Sequence, residues 1–311
     1  MDPRDLVILS IVQREFPLAK RPYDELSRLI GLSAPEIRRR LLALLKRGVV
    51  RRIAPMLDRG RLGIRGVLVA ARVAPRSVAR AAKLLDTRDE VTHNYLRSGP
   101  VNLWFTVSLG PGESAEPLIG ELLALGGIRS AYVLPTRRGF KLDASFNVGA
   151  YGARRSARSA KAKPHVRRLE AKDRELLASL RAKFPTSASP WNAAALGRLR
   201  RLERSGILLG VRAALDQRKL GFRGNVLVAW NVPESRASAV GRSFALRPEA
   251  SHVVLRAAAI DWPYNLYTMV HARTPAAARR VVREMAESAR LDDYVQLVTR
   301  RELKKTAPRY F

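Results

Sequence analysis

Apolar positions along this 311-residue chain change their spacing several times, and each change marks an element. Near the start, Leu6, Leu9 and Val12 recur at helical spacing within residues 3–15. PYDELSRLI (22–30) gives a second short helix that ends at Gly31. A third opens at SAPE, where Ser33 and Glu36 form a capping box and Pro35 falls in the tolerant first turn. It runs through IRRRLLALLKR to Gly48, a C-terminal stop signal. VVRRIAPML then reads as a strand, so residues 1–60 predict a winged helix-turn-helix. Beyond it the pattern predicts strand 65–73, helix 76–86, strands 91–97 and 101–109, helix 115–125 and strand 129–136. That β-α-β-β-α-β order is ferredoxin-like and assigns 61–150 to such a domain.

The second half repeats the plan. DLVILSIVQREFP (5–17) returns as DRELLASLRAKFP (173–185), and RLG (61–63) as KLG (219–221). VTHNYLR (91–97) returns as ASHVVLR (250–256), NLWFTV (102–107) as NLYTMV (265–270), and LPTRRGFK (134–141) as LVTRRELK (297–304). Strands 224–232, 250–257, 263–271 and 293–299, with helices 234–245 and 275–289, predict a second ferredoxin-like domain over 216–311. The helix-turn-helix of 168–215 is degenerate: 31 residues lead from Pro17 to Gly48, but only 21 from Pro185 to Gly206, a loss about one helix long. Residues 151–167, small and basic without an acid, read as a linker. The fold class expected is α+β, a winged helix-turn-helix plus a ferredoxin-like domain, duplicated in one chain as a pseudo-dimer.

Composition narrows the chemistry. The chain has no cysteine, which excludes disulfides and thiolate sites and makes a reducing cytoplasm the expected compartment. Its longest apolar runs fall short of the roughly 20 residues that span a bilayer, so no membrane is expected as a partner. Lysine and arginine total 58 against 27 aspartate and glutamate, a net charge of +31 that favours polyanionic partners. Gly-rich phosphate loops, Ser/His/Asp arrangements and metal-ligand clusters are not found in the sequence.

A winged helix followed by a ferredoxin-like domain resembles the Lrp/AsnC transcription regulators. Within that superfamily the chain looks more like the siroheme decarboxylases, whose two related subunits pair or are fused. FPLAKRPYDELSRLIGLS, GVVRRIAPMLDRGRLG, VTHNYLR, NLWFTV and LPTRRGFKLDASF resemble the first subunit type. GFRGNVLVAWNVP, SHVVLR, DWPYNLYTMVHA and the terminal RELKKTAPRYF resemble the second. The likeness covers nearly everything except the linker. It departs in the shortened second helix-turn-helix and in VVLR, which lacks the Asn-Tyr of HNYLR. It implies loss of carbon dioxide from two acetate side chains of siroheme, giving 12,18-didecarboxysiroheme, within haem d1 or alternative haem biosynthesis. Siroheme is then bound as substrate and no cofactor is required. The partners implied are siroheme and its decarboxylated products, with a homo-oligomer or related decarboxylase subunits, and no specific DNA.

That chemistry needs proton donors and carboxylate holders. Histidine titrates near neutrality, and of the four histidines His93 and His252 occupy matching places in the two halves, with Arg97 and Arg256 four residues on. On a strand, positions i and i+4 share a face about 13 Å apart, a span suited to a large flat ligand. His93 and His252 are the expected catalytic acid/base residues; either could instead ligate the siroheme iron. Arg97, Arg256, Arg51, Arg52, His271, Lys141 and Lys304 are the expected substrate contacts, with Tyr95, Trp104, Trp262 and Tyr264 lining the macrocycle. Two alternatives stand beside this reading: an Lrp/AsnC-type DNA-binding regulator, and a non-catalytic haem or tetrapyrrole sensor.

Overall fold

The structure, a computed structural model, describes residues 1–142, 146, 169–182, 184 and 186–306, so the expected linker 151–167 lies outside the described residues. In chain order the first half runs α1 (Pro3–Val12), α2 (Pro22–Ile30), α3 (Ala34–Lys46), β1 (Val50–Leu57), β2 (Arg65–Val73), α4 (Val78–Asp86), β3 (Val91–Arg97), β4 (Leu103–Leu109), α5 (Glu116–Ala124) and β5 (Ile128–Leu142). The second runs α6 (Ala171–Ala182), α7 (Ala193–Arg204), β6 (Leu208–Leu215), β7 (Gly224–Trp230), α8 (Glu234–Leu246), β8 (Ala250–Arg256), β9 (Leu266–Ala272), α9 (Pro275–Ala289) and β10 (Tyr294–Lys305). No described helix is long and apolar enough to cross a membrane.

These elements sort into two compact units that group like parts from both halves. The first unit takes the described residues of 1–63 and 145–221. In it β1 and β6 pair antiparallel, with Arg52 opposite Ala214. Ser33 caps α3 by accepting the Glu36 amide, and Asn192 caps α7 by accepting that of Ala195. The same ion pair ties each helix pair together: Asp5 to Arg40 at 3.0 Å and Asp173 to Arg198 at 3.0 Å. Among the described residues α7 follows α6 with no counterpart of α2. One ring stands in for it. Tyr23 of α2 packs edge-on against Phe16, and in the second half Trp191 packs edge-on against Phe184.

The second unit takes the described residues of 64–144 and 222–310. Each repeat lays its strands in ferredoxin-like order, β3-β4-β2-β5 and β8-β9-β7-β10. Helix-facing side chains form one apolar core per repeat: Val69, Leu85, Phe105 and Leu122 in the first, Val228, Phe244, Val270 and Met285 in the second. The repeated asparagines are clamps. The Asn102 amide exchanges two hydrogen bonds with the Val73 backbone, and Asn265 does the same with Val232.

Instead of two separate four-stranded sheets, the eight strands close into one barrel. The closing strands outrun the sequence expectation, since β5 reaches Leu142 where the pattern predicted an end at 136, and β10 reaches Lys305 rather than 299. Their distal halves cross to the other repeat. β5 pairs with β8, placing Thr136 opposite Arg256 and Leu142 opposite His252. β10 pairs with β3, placing Thr299 opposite Arg97 and Lys305 opposite His93. The charged TRRGFKL and TRRELKK tails carry no apolar alternation, and for that reason the sequence pattern ended their strands early.

Candidate active site

Side chains alternate across a strand, so the helix-facing positions fix which residues face the barrel interior. Asn94 lies opposite Phe105, a helix-side core residue; His93 and Tyr95 lie opposite Thr106 and Trp104, on the inner face. In β8 the same parity turns His252 and Arg256 inward while Val253 and Leu255 join the helix-side core. In β9 it turns Tyr267, Met269 and His271 inward, and in β7 it turns Asn225 to face His271. His93 and Arg97 thus share the inner face with their counterparts, as their spacing predicts.

The interior has an apolar part and a polar part. Trp104, Trp262, Tyr267, Leu134 and Leu297 form a buried cluster drawn from both repeats. Trp104 and Trp262 meet edge-on at 5.6 Å, and Tyr132 stacks on Trp262 at 6.2 Å. Their polar edges are committed: the Trp104 indole N–H donates to Val101 O, and that of Trp262 donates to the Tyr267 hydroxyl, which donates to Tyr264 O. Tyr264 packs on Trp262 at 4.8 Å. Trp104 and Trp262 are therefore packed into the barrel interior with both indole N–H groups bonded within the protein.

The two arginines are held alike. Arg97 Nη1 donates to Thr299 Oγ1 at 2.7 Å and Leu297 O at 3.3 Å; Arg256 Nη1 donates to Thr136 Oγ1 at 3.1 Å and Leu134 O at 2.9 Å. Each anchors the crossing strand of the other repeat. Burial pushes both guanidinium groups down to about 10, where they stay charged at neutral pH. Among the described residues neither faces a carboxylate, and the Nε of each is buried without a partner. Arg97 also lies over the Tyr95 ring at 4.9 Å, and that ring stacks with His93. A buried cation without a counter-ion is costly, so an arriving anion has something to gain there.

The histidines differ between halves. His93 Nδ1 lies 3.0 Å from Thr92 Oγ1. His252 Nδ1 lies 2.8 Å from Ser251 Oγ, which lies 2.9 Å from His271 Nε2; His271 Nδ1 lies 2.6 Å from Asn225 Oδ1. Burial, with the charges of His252, Lys305 and Arg97 adding to it, pushes His271 down to about 3. His271, expected to touch substrate, has both ring nitrogens hydrogen-bonded inside the protein. Sequence reasoning passed over Ser251 and Asn225. The first was visible as a hydroxyl before the histidine in both ASH and VTH; the second was hidden by a one-residue offset between GNVLVAW and GVLVAA.

Both lysines expected to contact substrate reach backbone carbonyls at helix ends. Lys304 Nζ donates to the carbonyls of Asp86 and Arg88 at 2.8 Å, at and just past the end of α4, and Lys141 Nζ donates to Arg247 O at 2.8 Å, at the end of α8. A cation at a helix C-terminus complements the dipole and the unpaired carbonyls. Arg51 pairs with Asp216 at 2.8 Å in the winged-helix unit, and Arg52 lies beside it on β1. In that unit Arg40 is tied to Asp2, Asp5 and Glu36, and Arg38 donates to Thr186 O, so two of the three consecutive arginines of α3, Arg38 to Arg40, bond within the protein.

The model of the AsnC-like ligand binding domain matches residues 61–141 and 219–304, the two strand-rich repeats. The siroheme decarboxylase NirDL-like HTH domain matches residues 5–51. A siroheme decarboxylase of Hydrogenobacter thermophilus is 27% identical across 98% of this chain and 94% of its own length. The siroheme decarboxylase beta subunit of Methanosarcina barkeri is 34% identical over 44% of this chain and 97% of that subunit. The chain belongs to the siroheme decarboxylase family. A crystal structure of the family member NirDL, in co-complex with an iron-uroporphyrin III analogue, superposes with a TM-score of 0.71 at 23% identity over 100% of this chain and 95% of that one. At that identity the likeness is one of fold. It extends over the whole of this chain and 95% of that one, so it takes in both the winged-helix unit and the barrel.

Proposed function

We propose that this chain is a fused pseudo-dimeric siroheme decarboxylase that removes carbon dioxide from two acetate side chains of siroheme, giving 12,18-didecarboxysiroheme. The observation that carries the reading is the polar part of the barrel interior. There His93 and His252, in equivalent places, accompany the two buried arginines, which face no carboxylate among the described residues, while Lys305 beside them lies 3.9 Å from Glu302. A neutral ligand gains nothing from such a site, whereas a tetrapyrrole bearing many carboxylates supplies the missing negative charge.

Each step breaks the bond between an acetate methylene and its carboxylate. Carbon dioxide leaves, its bonding electrons move into the pyrrole system, and one proton is added at the carbon to leave a methyl group. No oxidant or reductant enters this balance, so siroheme is the only bound group the reaction needs. Arg97 and Arg256 hold carboxylates and orient them. His93 and His252 lend a proton to the ring while carbon dioxide leaves, take it back as the ring electrons return, and deliver the one net proton to the methylene carbon that remains. Tyr95, stacked beside His93 and under Arg97, lines the same face, and Trp104, Trp262 and Tyr264 bound it. On this reading the enzyme works in the cytoplasm and binds no specific DNA.

The test is anaerobic incubation of the purified chain with siroheme, followed by mass spectrometry of the extracted tetrapyrrole. Loss of two carbon dioxide units, abolished in the His93→Ala, His252→Ala double variant, is the expected outcome. Siroheme recovered unchanged from active-site-saturating protein would refute the reading.

A further inference from the structure

His252 has two ring nitrogens, and proton transfer in one direction can use only the nitrogen that carries the lone pair. In water the neutral ring favours the tautomer with the proton on Nε2. The hydrogen bonds behind His252 reverse that preference, and they can be followed one atom at a time.

The chain of constraints starts at Asn225. Its Nδ2 donates to Phe222 O at 2.9 Å, which orients the amide with Oδ1 toward His271 Nδ1. An amide oxygen only accepts, so Nδ1 of His271 carries the proton. His271 is neutral, since burial and the neighbouring cations hold its basicity far below the physiological range. Its Nε2 is therefore an acceptor, and among the described residues the hydroxyl proton that reaches it is that of Ser251, 2.9 Å away. The alternative acceptor for that proton, Met269 O, is farther at 3.3 Å. With its proton given to His271, Ser251 Oγ offers a lone pair to His252 Nδ1 at 2.8 Å. His252 must then carry its proton on Nδ1.

We infer that Asn225, His271 and Ser251 are positioning residues that lock His252 in the Nδ1–H tautomer, making Nε2 the atom that accepts and returns the proton during decarboxylation. The inference rests on the reading of His252 as a proton carrier. It also separates the two halves. The register that sets Asn225 opposite His271 sets Gly66 opposite Ser108 in the first repeat. The first half therefore has a hydroxyl where the second has the imidazole, and no side chain where the second has the amide. Thr92 holds the place of Ser251, but the row behind it is of a different kind. The second half is accordingly the one built for a histidine of fixed polarity.

With four histidines in the whole chain, the tautomers can be read directly. The intact protein, labelled with nitrogen-15 in histidine, would be recorded by long-range proton–nitrogen correlation without substrate, each ring assigned by its loss in a His→Gln variant. The expected spectrum shows His252 and His271 both as Nδ1–H, with His271 neutral down to about pH 4. Ser251→Ala should return His252 to the Nε2–H form and lower kcat on siroheme about tenfold or more with KM nearly unchanged. Ser251→Thr, which keeps the hydroxyl, should restore both the tautomer and the rate. An Nε2–H resonance for His252 in the wild-type protein would overturn the inference. So would the expected tautomers accompanied by a Ser251→Ala enzyme of undiminished kcat. The spectra need no turnover, so a wild-type chain inert toward siroheme would count against the decarboxylase reading and not against the tautomer.

Discussion

Single residues show where the two halves have diverged, and Asn94 is the sharpest case. It sits on β3 opposite Phe105, on the helix-facing side of the sheet, fully buried at 0% exposure. Neither its Oδ1 nor its Nδ2 finds a partner among the described residues. The register that makes His93 equivalent to His252 makes Asn94 equivalent to Val253, which packs in the apolar core of its own repeat. Leaving buried polar atoms unsatisfied costs about 1–3 kcal/mol. Asn94→Val should therefore stabilise the protein, raising Tm by roughly 2–4 °C for each kcal/mol recovered in a domain of this size, measured by thermal unfolding at fixed salt and protein concentration. A lower Tm would mean that the amide has a partner that matters. The block HNYLR was legible in the sequence as a candidate site through His93 and Arg97, and their sharing of one face follows from spacing alone. What Arg97 bonds to was not legible, because Thr299 lies two hundred residues away and only strand pairing brings it near.

At the scale of elements, the crossing tails of β5 and β10 decide the architecture, and Gly241 shows how closely one of them is fitted. Phe140, on the distal half of β5, packs against the core under α8. A Cβ built on Gly241 of α8 would fall inside the van der Waals envelope of three Phe140 ring atoms. The guanidinium of Arg138 lies over the same ring at 5.1 Å, so the ring has little room to yield. Helix propensity favours alanine over glycine by about 1 kcal/mol, whereas overpacking costs about 1–3 kcal/mol. Gly241→Ala should thus lower stability in the wild-type background and raise it when Phe140→Ala is already present. A double-mutant cycle by denaturant unfolding measures that change of sign, and the same effect in both backgrounds would refute the packing. The helices and the central strands were legible because each buries one face and shows the matching period. The tails were not: TRRGFKL takes its strand form from pairing with a distant partner, and charged residues on a barrel rim leave no apolar pattern to read.

For the molecule as a whole, the duplication, the degenerate second helix-turn-helix and the order of elements were all written in the repeated segments, while closure of the barrel was not, since it depends on pairings between halves. Closure has a consequence that can be tested. Either repeat alone keeps a four-stranded sheet with two open edges, and open edges seek partners. In the intact chain β5 pairs with β8 and β10 with β3, which leaves no edge in the barrel, and β1 pairs with β6 in the other unit. Strand pairing joins the halves independently of the covalent connection between them. The Methanosarcina barkeri beta subunit, matched over 97% of its length by 44% of this chain, shows that a half-length polypeptide of this kind exists as a subunit. Breaking the chain within residues 151–167 and producing both fragments together should therefore give a stable one-to-one complex that retains decarboxylation of siroheme. Produced singly, each fragment should self-associate or aggregate. Light scattering coupled to gel filtration distinguishes the cases. A fragment that stays monomeric and folded by itself would show that the crossing strands are dispensable, and with them the argument that the paired histidines and arginines depend on both halves.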